Sequence, residues 1–191
     1  MTNVSPWSLV AYAWMAMMLY WLVSALNVKR TKFLAPRRVR VIQLAFLIPG
    51  CLLLFTPRYR AGPLHLALLP RSATVAFVGV AITFAGVAFA IWARYILGSN
   101  WSSQVAIREN HELIQTGPYR WIRHPIYTGI IGGVCGSATV VGELGAFLGV
   151  ALITVGLAYK GKQEELNLRA TFGDSWIAHQ QRTGMFLPRM H

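Results

Sequence analysis

The residue types able to do chemistry crowd into two short stretches. Between His111 and Gly129 the chain reads His-Glu-Leu-Ile-Gln-Thr-Gly-Pro-Tyr-Arg-Trp-Ile-Arg-His-Pro-Ile-Tyr-Thr-Gly. Gly117-Pro118 marks a turn, and Pro125 suits the first position of a helix. Arg123 and His124 then stand at the mouth of that helix, where free N–H groups and the positive dipole end attract anions. Arg123 has the fork geometry to grip a carboxylate. Taken alone, an Arg/His pair also reads as a membrane-boundary marker. The block of His, Gly-Pro-Tyr, Arg-His-Pro and Tyr within 17 positions asks for more than a boundary. The second stretch is Glu164-Glu165 with Arg169. If a helix runs through it, Glu165 and Arg169 are i,i+4 partners. A carboxylate at an apolar edge also suits the hydroxyls of a ribose or a cationic group.

The elements that hold these stretches are apolar. Of 191 residues, 55% are hydrophobic and 13% charged, and the mean hydropathy is +0.46. Soluble domains carry about 25% charged residues, so this composition predicts an integral membrane protein, and it excludes a disordered chain. A spanning helix needs about 20 apolar residues. Candidate spans run from about Leu9 to Val28, Val41 to Thr56, Ala73 to Ala93, Ile126 to Val141 and Leu144 to Tyr159. The second carries Pro49-Gly50, which predicts a kink. Only Gly142 and Glu143 separate the last two, which forces a helical hairpin. In the fourth span Gly129, Gly132, Gly133 and Gly136 share one helical face, suited to close helix packing or to the approach of a ligand. The fold expected is therefore all-α, with five spans in one unit: 1–72 holds the first two and 73–191 the catalytic core.

Charge predicts the orientation. The net charge is +12, and basic residues fall fifteen on one side of a five-span arrangement and three, Arg58, Arg60 and Arg71, on the other. The positive-inside rule then places the N-terminus outside and the C-terminus in the cytoplasm. This reading of the charge favours membrane lipids over nucleic acid as the partner. Residues 98–125 and 160–191 are both cytoplasmic, flank the hairpin, and hold five of the six acidic residues. Residues 172–188, with Trp176 and Phe186, read as an amphipathic tail on the surface. A cleavable signal peptide is not expected, because the first basic residue, Lys29, follows the first apolar run.

Absences narrow the chemistry. Cys51 and Cys135 have no disulfide or zinc spacing around them, so no metal site is expected. There is neither a GxGxxG after a strand nor a GxxxxGK[ST], which excludes the usual dinucleotide and nucleotide folds. The spans carry no ionisable residue of the kind that marks a proton or ion path, which disfavours transport.

The ordered series Leu97-Gly98-Ser99-Asn100-Trp101-Ser102, His111-Glu112-Leu113-Ile114, Gly117-Pro118-Tyr119, Arg123-His124-Pro125-Ile126-Tyr127-Thr128-Gly129, Glu164-Glu165 and Phe172-Gly173 resembles the isoprenylcysteine carboxyl methyltransferase family. The phospholipid methyltransferases share much of it. The similarity covers about residues 73–188. It implies a membrane enzyme that uses S-adenosylmethionine without a Rossmann fold, in a cytoplasm-facing pocket built from the segments before and after the hairpin. By match of motif, His111, Leu113, Gly117, Pro118, Tyr119, His124, Pro125, Tyr127, Gly129 and Glu164 or Glu165 would line the cofactor pocket. Arg123 and Arg169, with Glu165, would lie nearer the reacting carboxylate. The acceptor implied is an isoprenoid or lipid-tailed molecule drawn from the bilayer. After Phe-Gly, where relatives often have tyrosines, this chain has Trp176 and His179. Methylation of a phospholipid amine, a sterol-reductase-like hydride transfer and a non-catalytic membrane scaffold are the alternatives.

Overall fold

A computed structural model describes residues 4–27, 31–34, 37–98, 106–108 and 113–189. Among them are six α-helices: α1 Pro6–Ser24, α2 Arg37–Phe55, α3 Ala73–Leu97, α4 Pro125–Val141, α5 Leu144–Phe172 and α6 Asp174–Arg182. Local chemistry starts several of them. Ser5 caps α1, its Oγ accepting from Ser8 N at 3.1 Å, with Pro6 at the first helical position. Ser72 caps α3 in the same way through Val75 N at 3.2 Å. Each cap satisfies a backbone donor that the helix start leaves open. Among the described residues there is one addition to the all-α expectation: β1 Thr31–Leu34 pairs antiparallel with β2 Ala106–Arg108.

Helices α1, α2, α3 and α5 are long and apolar enough to cross a membrane, and α4 is apolar but shorter, at 17 residues. At 1.5 Å per residue α4 reaches about 26 Å, against a hydrocarbon core of about 30 Å. Helix α5 does not stop at Tyr159 but runs on to Phe172, 29 residues in all. That extension carries Glu164, Glu165 and Arg169 on a rigid element rather than on a loop.

Helix α3 packs along α4, α2 along α5, and α1 against α3. Missing side chains set these distances. A Cβ on Gly129 would lie 2.6 Å from both Ala90 N and Gly86 O of α3, and one on Gly50 would lie 2.9 Å from Gly149 O of α5. The glycine face of α4 is therefore used for backbone-to-backbone packing on α3, as small residues are in membranes. Gly129, which the family resemblance assigns to the cofactor pocket, turns its Cα side to α3. Pro49 is accommodated inside a continuous α2. Trp14 Nε1 donates to Ser137 Oγ at 3.0 Å, tying α1 to α4.

Backbone links gather the connections at two ends. Gly142, in the left-handed region at φ +73°, ends α4; its carbonyl accepts from Leu68 and Leu69 N, and Leu144 N donates to Leu66 O. The α2–α3 connection thus docks on the hairpin turn. There Glu143 Oε2 accepts from Arg60 Nε at 2.7 Å and lies 3.1 Å from His65 Nδ1. Burial pushes the Glu143 carboxyl up, but the Arg60 hydrogen bond and charge, with His65, outweigh it and hold it below its ordinary value. At the other end β1 meets β2, and Ile122 bridges Gly184.

Candidate functional site

The second end gathers the candidate groups. Pro125 opens α4 with His124 as its N-cap residue, and Tyr127 follows at i+3, on the same side of the first turn. The rings of His124 and Tyr127 lie parallel, centroids 5.3 Å apart and planes 3° apart. Opposite them runs the far part of α5, where Lys160 and Glu164 share a face and Glu165 stands beside them.

The two glutamates are held differently. Glu165 Oε1 accepts from Arg123 Nε at 2.7 Å and lies 3.3 Å from His124 Nε2, while Oε2 accepts from Gln180 Nε2 at 3.2 Å. Both oxygens are occupied by the protein, and its side chain is 13% exposed. Glu164 accepts from one hydroxyl, Tyr127 Oη, at 2.8 and 2.9 Å to its two oxygens. His124 Nδ1 stands 3.6 Å from Glu164, Lys160 Nζ stands 3.7 Å from it, and its side chain is 21% exposed. Of the pair, Glu164 is the more open.

The tail is a wall of this site. Arg123 N donates to Gly184 O at 2.9 Å, His124 N to Met185 O at 3.1 Å and Gly184 N to Trp121 O at 3.2 Å. Arg123 Nη1 donates to Gln180 O and Thr183 O, and Thr128 Oγ1 donates to Phe186 O at 2.7 Å. Trp176 is 3% exposed. These contacts correct the expectation of an amphipathic tail on the surface: α6 and residues 183–186 fold back onto the start of α4. Gly161 leaves room for this, since a Cβ there would stand 2.7 Å from Met185 Cε and 3.4 Å from His124 Nε2. Burial, followed by the charges of Arg123 and Arg182, pushes the His179 imidazole below its ordinary value. Burial pushes the Tyr119 phenol up, and the Glu164 charge adds to it, so Tyr119 is a neutral donor.

Arg123, His124, Tyr127, Glu164 and Glu165 are thus brought together, and buried Pro118 and Tyr119 lie on the 3-10 turn Gly117–Arg120 that precedes them. Gly117, at φ +56°, sits against Ile96 of α3, and Leu113 is half-buried. Arg169 is exposed and outside the described ion pairs; Glu165 turns to Arg123 in place of an i,i+4 pair with it. His111 lies outside the described residues. Sequence reasoning missed Lys160, Gln180 and the carbonyls of Thr183 to Phe186. Lys160 was findable from its i,i+4 spacing to Glu164; the carbonyls leave no trace in side-chain pattern.

The sequence signature of the isoprenylcysteine carboxyl methyltransferase (ICMT) family matches residues 77–170. Over that stretch, just under half of its length, the chain is similar to this family. The match runs from α3 through the Arg-His-Pro entrance of α4 to Ala170 and stops short of α6. The family is one of methyltransferases, and the chain's apolar helices accord with a membrane protein. A 40-residue stretch is 38% identical to Uncharacterized protein YpbQ of Bacillus subtilis (strain 168). That stretch is 21% of this chain, which spans about a quarter, 24%, of the Bacillus protein's length.

Proposed function

We propose that the chain is an S-adenosylmethionine-dependent carboxyl O-methyltransferase whose acceptor is lipophilic and prenylcysteine-like, entering from the bilayer. One observation carries this reading: two adjacent glutamates, Glu165 pinned by Arg123 and Glu164 the more exposed, face the stacked His124 and Tyr127 rings where an apolar helix pair ends. The donor set fits the cofactor. An open carboxylate accepts from ribose hydroxyls or neutralises a cationic group, and aromatic faces beside it attract a sulfonium or ammonium. Glu164, His124 and Tyr127 would hold it, with Tyr119 and the turn Gly117–Arg120 alongside. S-adenosylmethionine, when bound, supplies a methyl on a positively charged sulfur that becomes a neutral thioether as the acceptor oxygen takes the methyl.

The residues of the chain have the remaining work. A carboxylate acceptor is ionised at neutral pH, so no general base is required of the site. Opposite charges are lost as the reactants combine, and an apolar enclosure favours that loss because it solvates the separated charges poorly. Holding two reactants in line is the main contribution left to the protein. Arg123 acts in this reading as a positioning residue, fixing Glu165 and the tail that closes the site.

The fifteen-to-three division of basic residues supports an N-terminus outside and a site facing the cytoplasm, with α4 as a fifth, short span. A reporter fused after His191 is expected on the cytoplasmic side. The enzymatic reading is tested by incubating purified protein with labelled S-adenosylmethionine and N-acetyl-S-farnesylcysteine. Formation of the labelled methyl ester is expected; transfer to a phospholipid amine in its place would overturn the carboxylate reading.

A further inference from the structure

Lys160 is 7% exposed, a cation enclosed by protein at the inner end of the apolar part of α5. An enclosed charge beside hydrocarbon is costly and persists where it serves a partner. The residues Leu144 to Tyr159 that precede it include no charge. Its Nζ lies 5.4 Å above the Tyr127 ring and 3.7 Å from Glu164 Oε1. Being one turn before Glu164 on α5, it stands about 6 Å deeper along the helix axis, on the side of the site that faces the membrane interior.

Of three other described cations near this end, two are held by carboxylate or backbone partners and one is exposed. Arg123 gives Nε to Glu165 and Nη1 to Gln180 and Thr183 carbonyls. Arg94 gives Nη1 to Gly98 O at 2.7 Å and Nη2 to Ser24 O at 3.0 Å, closing the ends of α3 and α1. Arg169 is exposed. Lys160 alone among these four combines burial with a place beside the open glutamate and its tyrosine. Its sign also discriminates: a fixed cation here attracts an anionic head group and repels an ammonium.

We propose that Lys160 is the specificity-determining residue that seats the carboxylate of the lipid acceptor, so that the site takes anionic lipid-tailed acceptors and rejects amine ones. This rests on the methyltransferase reading above. Glu164 and Lys160 then divide the work along one face of α5, the carboxylate toward the cationic donor and the ammonium toward the anionic acceptor.

The test is equilibrium binding of N-acetyl-S-farnesylcysteine and of its methyl ester to the purified full chain, with S-adenosylmethionine affinity measured in parallel by calorimetry. Wild type is expected to bind the free carboxylate at least tenfold more tightly than the ester. Lys160→Met and Lys160→Gln are expected to bring that ratio below twofold while S-adenosylmethionine affinity stays within twofold, and Lys160→Arg to keep the ratio. A ratio unchanged in the neutral variants overturns the proposal. So does a parallel loss of S-adenosylmethionine affinity, which would confine Lys160 to supporting Glu164, and so does failure of Lys160→Arg, which would make the effect one of shape. If wild type itself bound no S-adenosylmethionine, the enzymatic reading would fall first, and the two failures are thereby told apart.

Discussion

Arg123 Nε donates to Glu165 Oε1 across 2.7 Å, joining the residue two before α4 to the far part of α5. The chain separation is 42 residues. Because the same guanidinium also gathers the carbonyls of Gln180 and Thr183, one side chain fixes three segments at once. Its removal should be felt in structure before chemistry.

Glu165→Gln is therefore expected to lower stability by about 3 kcal/mol, the lower end of what breaking a buried pair costs. Glu164→Gln, at the more open carboxylate, is expected to leave the melting temperature nearly unchanged and to weaken S-adenosylmethionine binding at least tenfold. Calorimetric titration beside thermal unfolding of detergent-solubilised protein reads both. The opposite pattern would exchange the roles of the two glutamates.

Ending the chain after Arg182 removes the carbonyls that Arg123 N, His124 N and Thr128 Oγ1 use, and strips Met185 from Gly161. Three donors at the start of α4 lose partners, each costing about 1–3 kcal/mol if it remains shielded from water. The truncated protein is expected to melt lower and to bind no S-adenosylmethionine. Retention of wild-type binding would mean that the tail is not a wall of the site.

The glycines of α4 should separate by partner. Gly129→Ala drives a methyl into the α3 backbone and should cost about 2 kcal/mol. At Gly132 the nearest atom to an added Cβ is Gly86 Cα at 3.6 Å, an ordinary contact, and Gly132→Ala should stay within about 0.5 kcal/mol of wild type. Unfolding of the two variants side by side checks this.

Acid should weaken the protein in two separate windows. His179 is held below its ordinary imidazole value of about 6.5. Between its folded and unfolded values the unfolded chain holds more protons, so stability falls as pH drops below about 6.5 and levels off below the folded value. Glu143, also held low, contributes stability that is complete above its unfolded value of about 4.3 and lost as pH falls toward the folded one. Melting temperatures from pH 8 to pH 3 should show both steps. His179→Phe is expected to remove the first and Glu143→Gln to reduce the second, to which Glu165, also held low by His124 and Arg123 against its burial, contributes as well.

Much of this was readable from residue order because it depends on neighbours along the chain. Apolar runs marked the helices, Pro125 marked the start of α4, and Gly142-Glu143 enforced the hairpin. Spacing of three or four also puts Tyr127 on the side of His124, and it would have paired the missed Lys160 with Glu164, since a helix turns through 3.6 residues. The same spacing rule proposed Arg169 as the partner of Glu165, and there it failed. Arg123 is nearer once α4 and α5 are packed, and a buried carboxylate takes the donor that the fold encloses with it.

What tertiary structure alone decided is which of these groups remain open. Side-chain pattern carries no record of a carbonyl at Thr183 or Gly184, so nothing in residue order says that Arg123 is already engaged. It gives no sign either that Gly129 faces α3, because a glycine face suits a helix and a ligand equally. The closing of residues 183–186 onto the start of α4 is a long-range backbone pairing. Its energy comes from donors and acceptors that every sequence possesses, and only the folded geometry assigns them to one another.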